Sequence, residues 1–379
     1  MLCKPIFSAL APLVVLPLAA CSPSQPAPQS KAETAPKAES VAVTPAVSQP
    51  KPTTDSHTRP KPGELKTFTD WTVGCDNMLR CTLGSLLPEM GGEDMITLNL
   101  SREPGPVAAG GGKISLALET SNDVEATKRP PVGFAVDGKR IALHDATAVA
   151  AAIANAQSLK ILDAKGGALA TLSLKGAAAA LRYIDAQQGR AGSIDAIVAK
   201  GAAPSSAPIP SLPIITAIAP SGTPAKLGGA QVATMRKRAT CDLDSFPDGA
   251  GESITTSETY ALGGGKSLVI LPCSTGAYNL ISALFIVDGA SITPAQLDAR
   301  SGFEATGADT GTSVKSVING EFKDGFLTSY AKGRGLGDCG SRQSFVWDAT
   351  RFRLSEQADM GECRGNIDYI TTWRAKVIR

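Results

Sequence analysis

Beyond residue 68 the chain is a series of short apolar runs separated by turn residues. In FTDWTVGC, Thr69, Trp71, Val73 and Cys75 fall on every second position, which predicts a strand burying Trp71, Val73 and Cys75 on one face. Cys75 and Cys81 bracket DNMLR, and its Asp76-Asn77 start is turn chemistry. Further strands are expected at 95–100 and 114–119. VGFAVDGKRIAL sets Asp137-Gly138 between two apolar runs, a hairpin signal because glycine accepts positive φ. Asp145 is a good N-cap for the helix ATAVAAAIANA. LKILDAKGGALATLSL reads as another hairpin, and GAAAALRYIDAQQG as a second helix. Together these make a small sheet with two helices.

A Pro/Ala/Ser stretch, KGAAPSSAPIPSLP (200–213), is the best internal boundary. Beyond it, GAQVATMRKRA predicts a helix leading into Cys241. SETYAL, SLVILPC, NLISALFIV, FKDGFLTSYAKG, SFVWDATRFRL and ITTWRAKVI then read as strands separated by turn residues, an antiparallel meander or sandwich. The expected fold is α+β and β-rich: two disulfide-containing domains, 66–198 and 215–379, with antiparallel sheets, a few helices and a linker at 199–214.

The first residues differ in kind. Lys4 precedes an apolar run over 6–20, long enough for a signal h-region and short for a membrane span. Leu18-Ala19-Ala20-Cys21 resembles the bacterial lipoprotein cleavage box, in which small residues fit the peptidase and the Cys21 thiol accepts diacylglycerol. The alternative is an ordinary secretory peptide cut at an Ala-x-Ala-like site; both routes export the chain. Residues 1–20 are thus expected to be a signal peptide and Cys21 a lipidated anchor, each buried methylene contributing roughly 0.8 kcal/mol. Ser22, where Asp would favour inner-membrane retention, points to the outer membrane. Residues 21–65 are rich in Pro, Ala, Ser and Thr and poor in large apolar side chains, the composition of a disordered tether. The expected location is the periplasm. His57 falls in the tether, leaving His144 as the one histidine of the folded part; no Ser or Cys is locally paired with it.

About 310 of the 379 residues remain, enough for two domains of ordinary size. With 37 basic and 35 acidic residues the chain carries no electrostatic footprint for nucleic acid, and Arg236-Lys237-Arg238 reads as the solvated face of a helix. Cys3 leaves with the signal peptide, and Cys21 takes lipid. Cys75, Cys81, Cys241, Cys273, Cys339 and Cys363 form an even set in an exported chain, which means disulfides. Fifteen pairings are open to them. Locality suggests Cys75–Cys81, Cys241–Cys273 and Cys339–Cys363. Zinc is the rival, but no CxxC occurs and no histidine lies near a cysteine, so no metal and no cofactor are expected.

LPCSTGAYN (271–279), GRGLGDCGSRQSFVWDATRFRL (333–354) and Cys363-Arg364-Gly365 with Trp373-Arg374 resemble the hallmark segments of a proteobacterial exported family, domain of unknown function 1176. FTDWTVGCDN and LSLKGAAAALRYIDAQQGR are similar to its N-terminal segments, so the resemblance runs from about Phe68 to Arg379. More distantly, the Trp-x-Val-x-Cys start resembles invasion-associated locus B proteins, which favours a β-sandwich. The resemblance implies export and disulfides and supplies no catalytic residue.

Several segments imitate catalytic motifs. Gly335-Leu-Gly337-Asp-Cys-Gly340 matches GxGxxG, but that fingerprint needs a parallel strand before it and a helix after it. Here a meander strand precedes and a hairpin follows, so it reads as a turn held by a disulfide. LGGGKS (262–267) lacks the first glycine of a P-loop, Tyr260 standing there. GADTG (307–311) is a lone Asp-Thr-Gly, where an aspartic protease needs two. Ser329 and Lys332 of SYAK would point to opposite faces of a strand. Trp71, Trp347 and Trp373 are more often core than cleft. With Arg364, the residues Tyr278, Asn279 and Trp347 are the candidate ligand-facing side chains. The expected role is a non-enzymatic binding, inhibitor or assembly module, attached to the membrane through lipid on Cys21 and recognising an envelope protein or a cell-wall component. The rival is an envelope hydrolase using paired carboxylates.

Overall fold

A computed structural model describes residues 59–89, 96–120, 128–248, 255–306 and 312–379. The signal peptide, Cys21, most of the tether, His57, Met95 and the Asp-Thr-Gly of 307–311 lie outside the described residues. The described residues belong to one compact unit, and among them no helix is long and apolar enough to cross a membrane.

The alternating segments open the fold as an antiparallel meander in chain order: β1 (Lys66–Phe68), β2 (Trp71–Cys75), β3 (Cys81–Ser85), β4 (Ile96–Arg102) and β5 (Ile114–Thr120). A second sheet, ordered β7-β6-β8-β9, follows from β6 (Gly133–Val136), β7 (Lys139–Ala142), β8 (Ser158–Leu162) and β9 (Ala168–Ser173). Asp137 and Gly138 both take positive φ at the β6–β7 turn, as the hairpin signal requires. Helix α1 (Ala146–Ile153) starts at Asp145, whose carboxylate accepts from the Ala148 amide at 2.9 Å, and α2 (Ala177–Gln187) follows β9. One apolar core joins both sheets and both helices through Trp71, Leu98, Phe134, Val149, Leu159 and Ile184. Trp71 keeps its indole N–H satisfied by donating to the Ser173 carbonyl at 2.9 Å.

The expected linker leads into a short strand, β10 (Ile214–Thr216). Helix α3 (Gly229–Arg238) then precedes a third sheet of β11 (Glu258–Gly263), β12 (Lys266–Thr275), β13 (Leu280–Asp288), β14 (Ser291–Pro294) and β15 (Ser316–Ile318). The fourth sheet runs in order through β16 (Glu321–Lys323), β17 (Phe326–Lys332), β18 (Gly340–Trp347), β19 (Phe352–Met360) and β20 (Ile370–Arg374). The last strand, β21 (Lys376–Ile378), returns to pair in parallel with β10. The unbroken apolar run of β12 has a simple cause. Leu268 and Ile270 face a core shared with the fourth sheet, while Val269 and Leu271 face a second core that includes Met235 of α3. The fold is thus β-rich α+β with antiparallel sheets apart from the β10–β21 pair.

Among the described residues three disulfides close it: Cys75–Cys81, Cys241–Cys273 and Cys339–Cys363. Their sequence separations of 6, 32 and 24 residues correspond to roughly 2, 4 and 3 kcal/mol of removed chain entropy.

The first and last sheets meet. β2 is buried on both faces rather than one, because the side predicted to be wet is covered by the C-terminal part of the chain. A Cβ on Gly74 would press on Leu65 and Ile370, and one on Gly84 would press on Asn366 and Asn99, so these strand glycines leave room for the neighbouring sheet. Leu86, Met360, Tyr369 and Ile370 pack in the same seam.

Candidate functional site

The glycine-rich segment 333–339 connects two antiparallel neighbours, β17 and β18, and is a structural turn. The hydroxyls of Tyr330 and Tyr369 both donate to the Gly337 carbonyl, at 2.9 and 3.1 Å. Asp338 accepts from Arg334 Nε at 2.7 Å and from the Gly365 amide at 2.6 Å. The Arg342 guanidinium lies over both tyrosine rings, 4.6 and 4.4 Å from their centroids. Cys339–Cys363 locks the turn. LGGGKS is the β11–β12 turn, with Gly263, Gly264 and Gly265 all at positive φ. Ser329 is buried in β17, its Oγ accepting from the Ile318 amide at 3.0 Å.

Of the four candidate ligand-facing residues, Trp347 is corrected outright: it is 3% exposed and packs on Phe352 with ring centroids 5.2 Å apart, in the core between the third and fourth sheets. An indole on an apolar strand face is pulled inward by the area it removes from water. Asn279 faces the chain itself, donating to the Lys332 carbonyl at 2.9 Å and accepting from the Lys332 amide at 3.1 Å. Arg364 bridges the seam, donating to the carbonyls of Leu87 (2.7 Å) and Thr69 (2.8 Å) and pairing with Asp70 at 2.6 Å. Tyr278 is half exposed, beside Gly335. The structure does not gather these four into one site.

Concave space lies elsewhere, against β5. That strand ends the first sheet, so its inward residues Ile114, Leu116 and Leu118 are only half covered by their neighbours. Together with Pro131, Leu143 and the exposed His144 they line an open groove of about 790 Å³. A second cavity of about 530 Å³ adjoins it, sharing Lys113 and Ile114 and reaching Arg102, Gly112, Asp195 and Lys200. Both volumes fall in the range of small-molecule sites, and the first has the mostly apolar wall such sites show.

Below the second cavity sits a buried charge network. Asp185, on α2, accepts from Arg102 at 2.9 Å and from the amides of Ile197, Val198 and Ala199 at 2.8–3.0 Å. Arg190 is fully buried, donating to Gln188 at 2.9 Å and to the carbonyls of Glu103 and Gly105. Burial and the charge of Arg190 pull the Arg102 guanidinium down to about 10. Of the carboxylates, Asp70, Asp163, Asp338 and Asp348 are shifted, all downward, by arginine, hydroxyl or amide donors that outweigh any cost of burial. None of these is poised as the proton donor of a hydrolase. Among the described residues no three His, Cys, Asp or Glu side chains gather as a metal site.

Sequence reading missed this groove. VAAGGGK (107–113) and IDAIVAK (194–200) are the segments that line its cationic end, and neither alone announces a site.

A profile of the family described as Protein of unknown function (DUF1176) matches residues 65–376. The chain is similar to "Uncharacterized protein YpfG" of Escherichia coli (strain K12), with 29% identity over 330 residues, covering 79% of this chain and 88% of the relative. No solved structure matches.

Proposed function

The chain belongs to the DUF1176 family of proteins of unknown function, and from that premise we propose that it is a lipid-anchored, non-enzymatic binding module of the bacterial envelope. Its groove over β5 takes the alkyl part of an envelope amphiphile. The observation that carries this reading is the groove: an apolar floor of Ile114, Leu116 and Leu118 in about 790 Å³, with a cationic cavity at one end. Each methylene that leaves water contributes about 0.8 kcal/mol, so a short chain suffices for useful affinity. The cleavage box ending at Cys21, the Pro/Ala-rich tether and the disulfides support an exported, membrane-attached position, with Ser22 favouring the outer membrane.

Full-length protein in isolated envelopes, photolysed with a diazirine-bearing long-chain alcohol and digested, tests the groove. Label is expected on peptides covering 114–120 and 146–153, and dodecanol is expected to compete more strongly than octanol. Label confined to other peptides, or competition indifferent to chain length, would sink the reading. Metabolic labelling with a clickable fatty acid tests the anchor: incorporation is expected in the wild type and lost in Cys21→Ala.

A further inference from the structure

Next to the groove, the cavity bounded by the glycine-rich loop holds more positive than negative charge. Arg102, Lys113 and Lys200 line it against Asp195, while Arg190 and Asp185 are buried behind that wall. Asp185 is saturated by its four donors. Asp195 accepts from the Val107 amide at 3.0 Å and lies 3.6 Å from Arg190 Nη1, too far for a hydrogen bond. Among the described residues Lys200 donates to a neutral partner, the Ala196 carbonyl, at 3.0 Å.

The guanidiniums are incompletely paired. Arg102, with a side chain only 4% exposed, lines the cavity and also donates through Nη2 to the Asp195 carbonyl, but among the described residues its Nε has no hydrogen-bond partner, and neither has Arg190 Nη1. Buried guanidinium N–H groups without partners are costly and uncommon, and they call for an acceptor. The cost is visible in Arg102, whose acidity is raised by its burial and by its neighbour Arg190. The loop closes tightly on the arginine here: Gly112, at φ +69°, takes a conformation that favours glycine, and a Cβ there would sit 2.8 Å from Val107 and 3.0 Å from the Arg190 guanidinium.

We infer that this cavity is an anion site, which seats the phosphate or carboxylate of the ligand whose apolar part lies along β5. Lys113 and Lys200 contact the anion from the open side, and Arg102 lines the wall with an Nε that lacks an acceptor. Lys113 and Ile114 belong to both cavities, so one molecule can span them. The inference rests on the groove reading above and extends it from any alkyl ligand to an acidic one.

The test compares competitors of equal chain length against the photoreactive alcohol, on full-length protein in envelopes: dodecyl phosphate, dodecanoate and dodecanol. Inorganic phosphate is assayed separately by its effect on the thermal unfolding midpoint. Arg102→Met strands the Asp185 carboxylate and endangers the fold, so the doubly substituted Lys113→Met/Lys200→Met protein carries the comparison. The expected result is that the two anions compete at least tenfold better than dodecanol in the wild type, and that this advantage shrinks severalfold in the double variant and in high salt. Equal competition by all three overturns the anion site while leaving the groove intact. If no competitor acts, the groove reading fails. A phosphate-induced rise in midpoint that the double variant loses would then keep the site as one for a free anion, and no rise would remove it. An alkyl-anion advantage unchanged in the double variant also overturns the assignment.

Discussion

Asp338 shows what a single residue contributes at the turn. Burial alone would raise its carboxyl group, but the hydrogen bonds from Arg334 and the Gly365 amide, with the Arg334 charge, hold it below the usual aspartate range. A carboxylate depressed in the folded state binds fewer protons there than in the unfolded chain. Its stabilisation is therefore complete above about pH 4 and is lost as pH falls through the depressed value. Asp338→Asn is expected to cost about 2 kcal/mol at pH 7, a typical loss for hydrogen bonds to a charged group. Urea unfolding of both proteins across pH 7 to pH 3 checks this. The gap between them should narrow below pH 4, while acid sensitivity from Asp70 and Asp348, also depressed, persists in the variant. A gap that stays constant with pH would show that Asp338 acts through packing alone.

Element by element, the chain declares what depends on neighbours a few residues away. The Asp145 cap, the Asp137-Gly138 turn and the two-faced apolar run of β12 all follow from spacing within a dozen residues. Helix α1 is only eight residues long, so its cap matters. Asp145→Ala leaves the Ala148 amide without its acceptor and should destabilise the protein by about 1 kcal/mol, read as a shift in the urea midpoint at unchanged slope. No measurable shift would mean that tertiary contacts alone hold α1. What spacing did not declare are elements whose partners are far along the chain. β1, β10 and β21 have only three residues each, too few to show a period. Arg102 and Arg190 sit in segments that look solvated, because a lone arginine in sequence carries no sign of the aspartate that will bury it. The groove is invisible for the same reason: its floor is β5 and its walls come from residues near 113, 143 and 196. Trp347 takes the commoner place of a tryptophan, in the core, and the sheet that covers it is far enough along the chain to leave no sign beside it in sequence.

At the scale of the molecule, the deciding feature is the polar seam between the first and last sheets. Asn366 is fully buried and donates to the Ser85 carbonyl at 3.0 Å and to Asn99 Oδ1 at 2.8 Å. Asn99 in turn donates to the Asp368 carbonyl at 2.9 Å, and Arg374 pairs with Asp76 at 2.5 Å. These bonds join residues more than 260 positions apart, so their loss should be felt on both sides. The loop carrying Arg364, Gly365 and Asn366 is itself held by Cys339–Cys363 and by Asp338. Replacing both cysteines, Cys339→Ser/Cys363→Ser, removes a cross-link worth roughly 3 kcal/mol and frees that loop. If the two sheets fold as one cooperative unit, hydrogen exchange should quicken not only in 326–374 but also at the amides of 71–85, which the disulfide never touches. Asn366→Ala, which strands a buried carbonyl and amide oxygen at a cost of about 1–3 kcal/mol, should reproduce the same remote effect with the disulfide intact. Exchange confined to the C-terminal strands in both variants would show that the seam is contact without coupling. The expected spread to 71–85 would instead show that the last 40 residues stabilise the first sheet, and with it the edge strand that floors the groove.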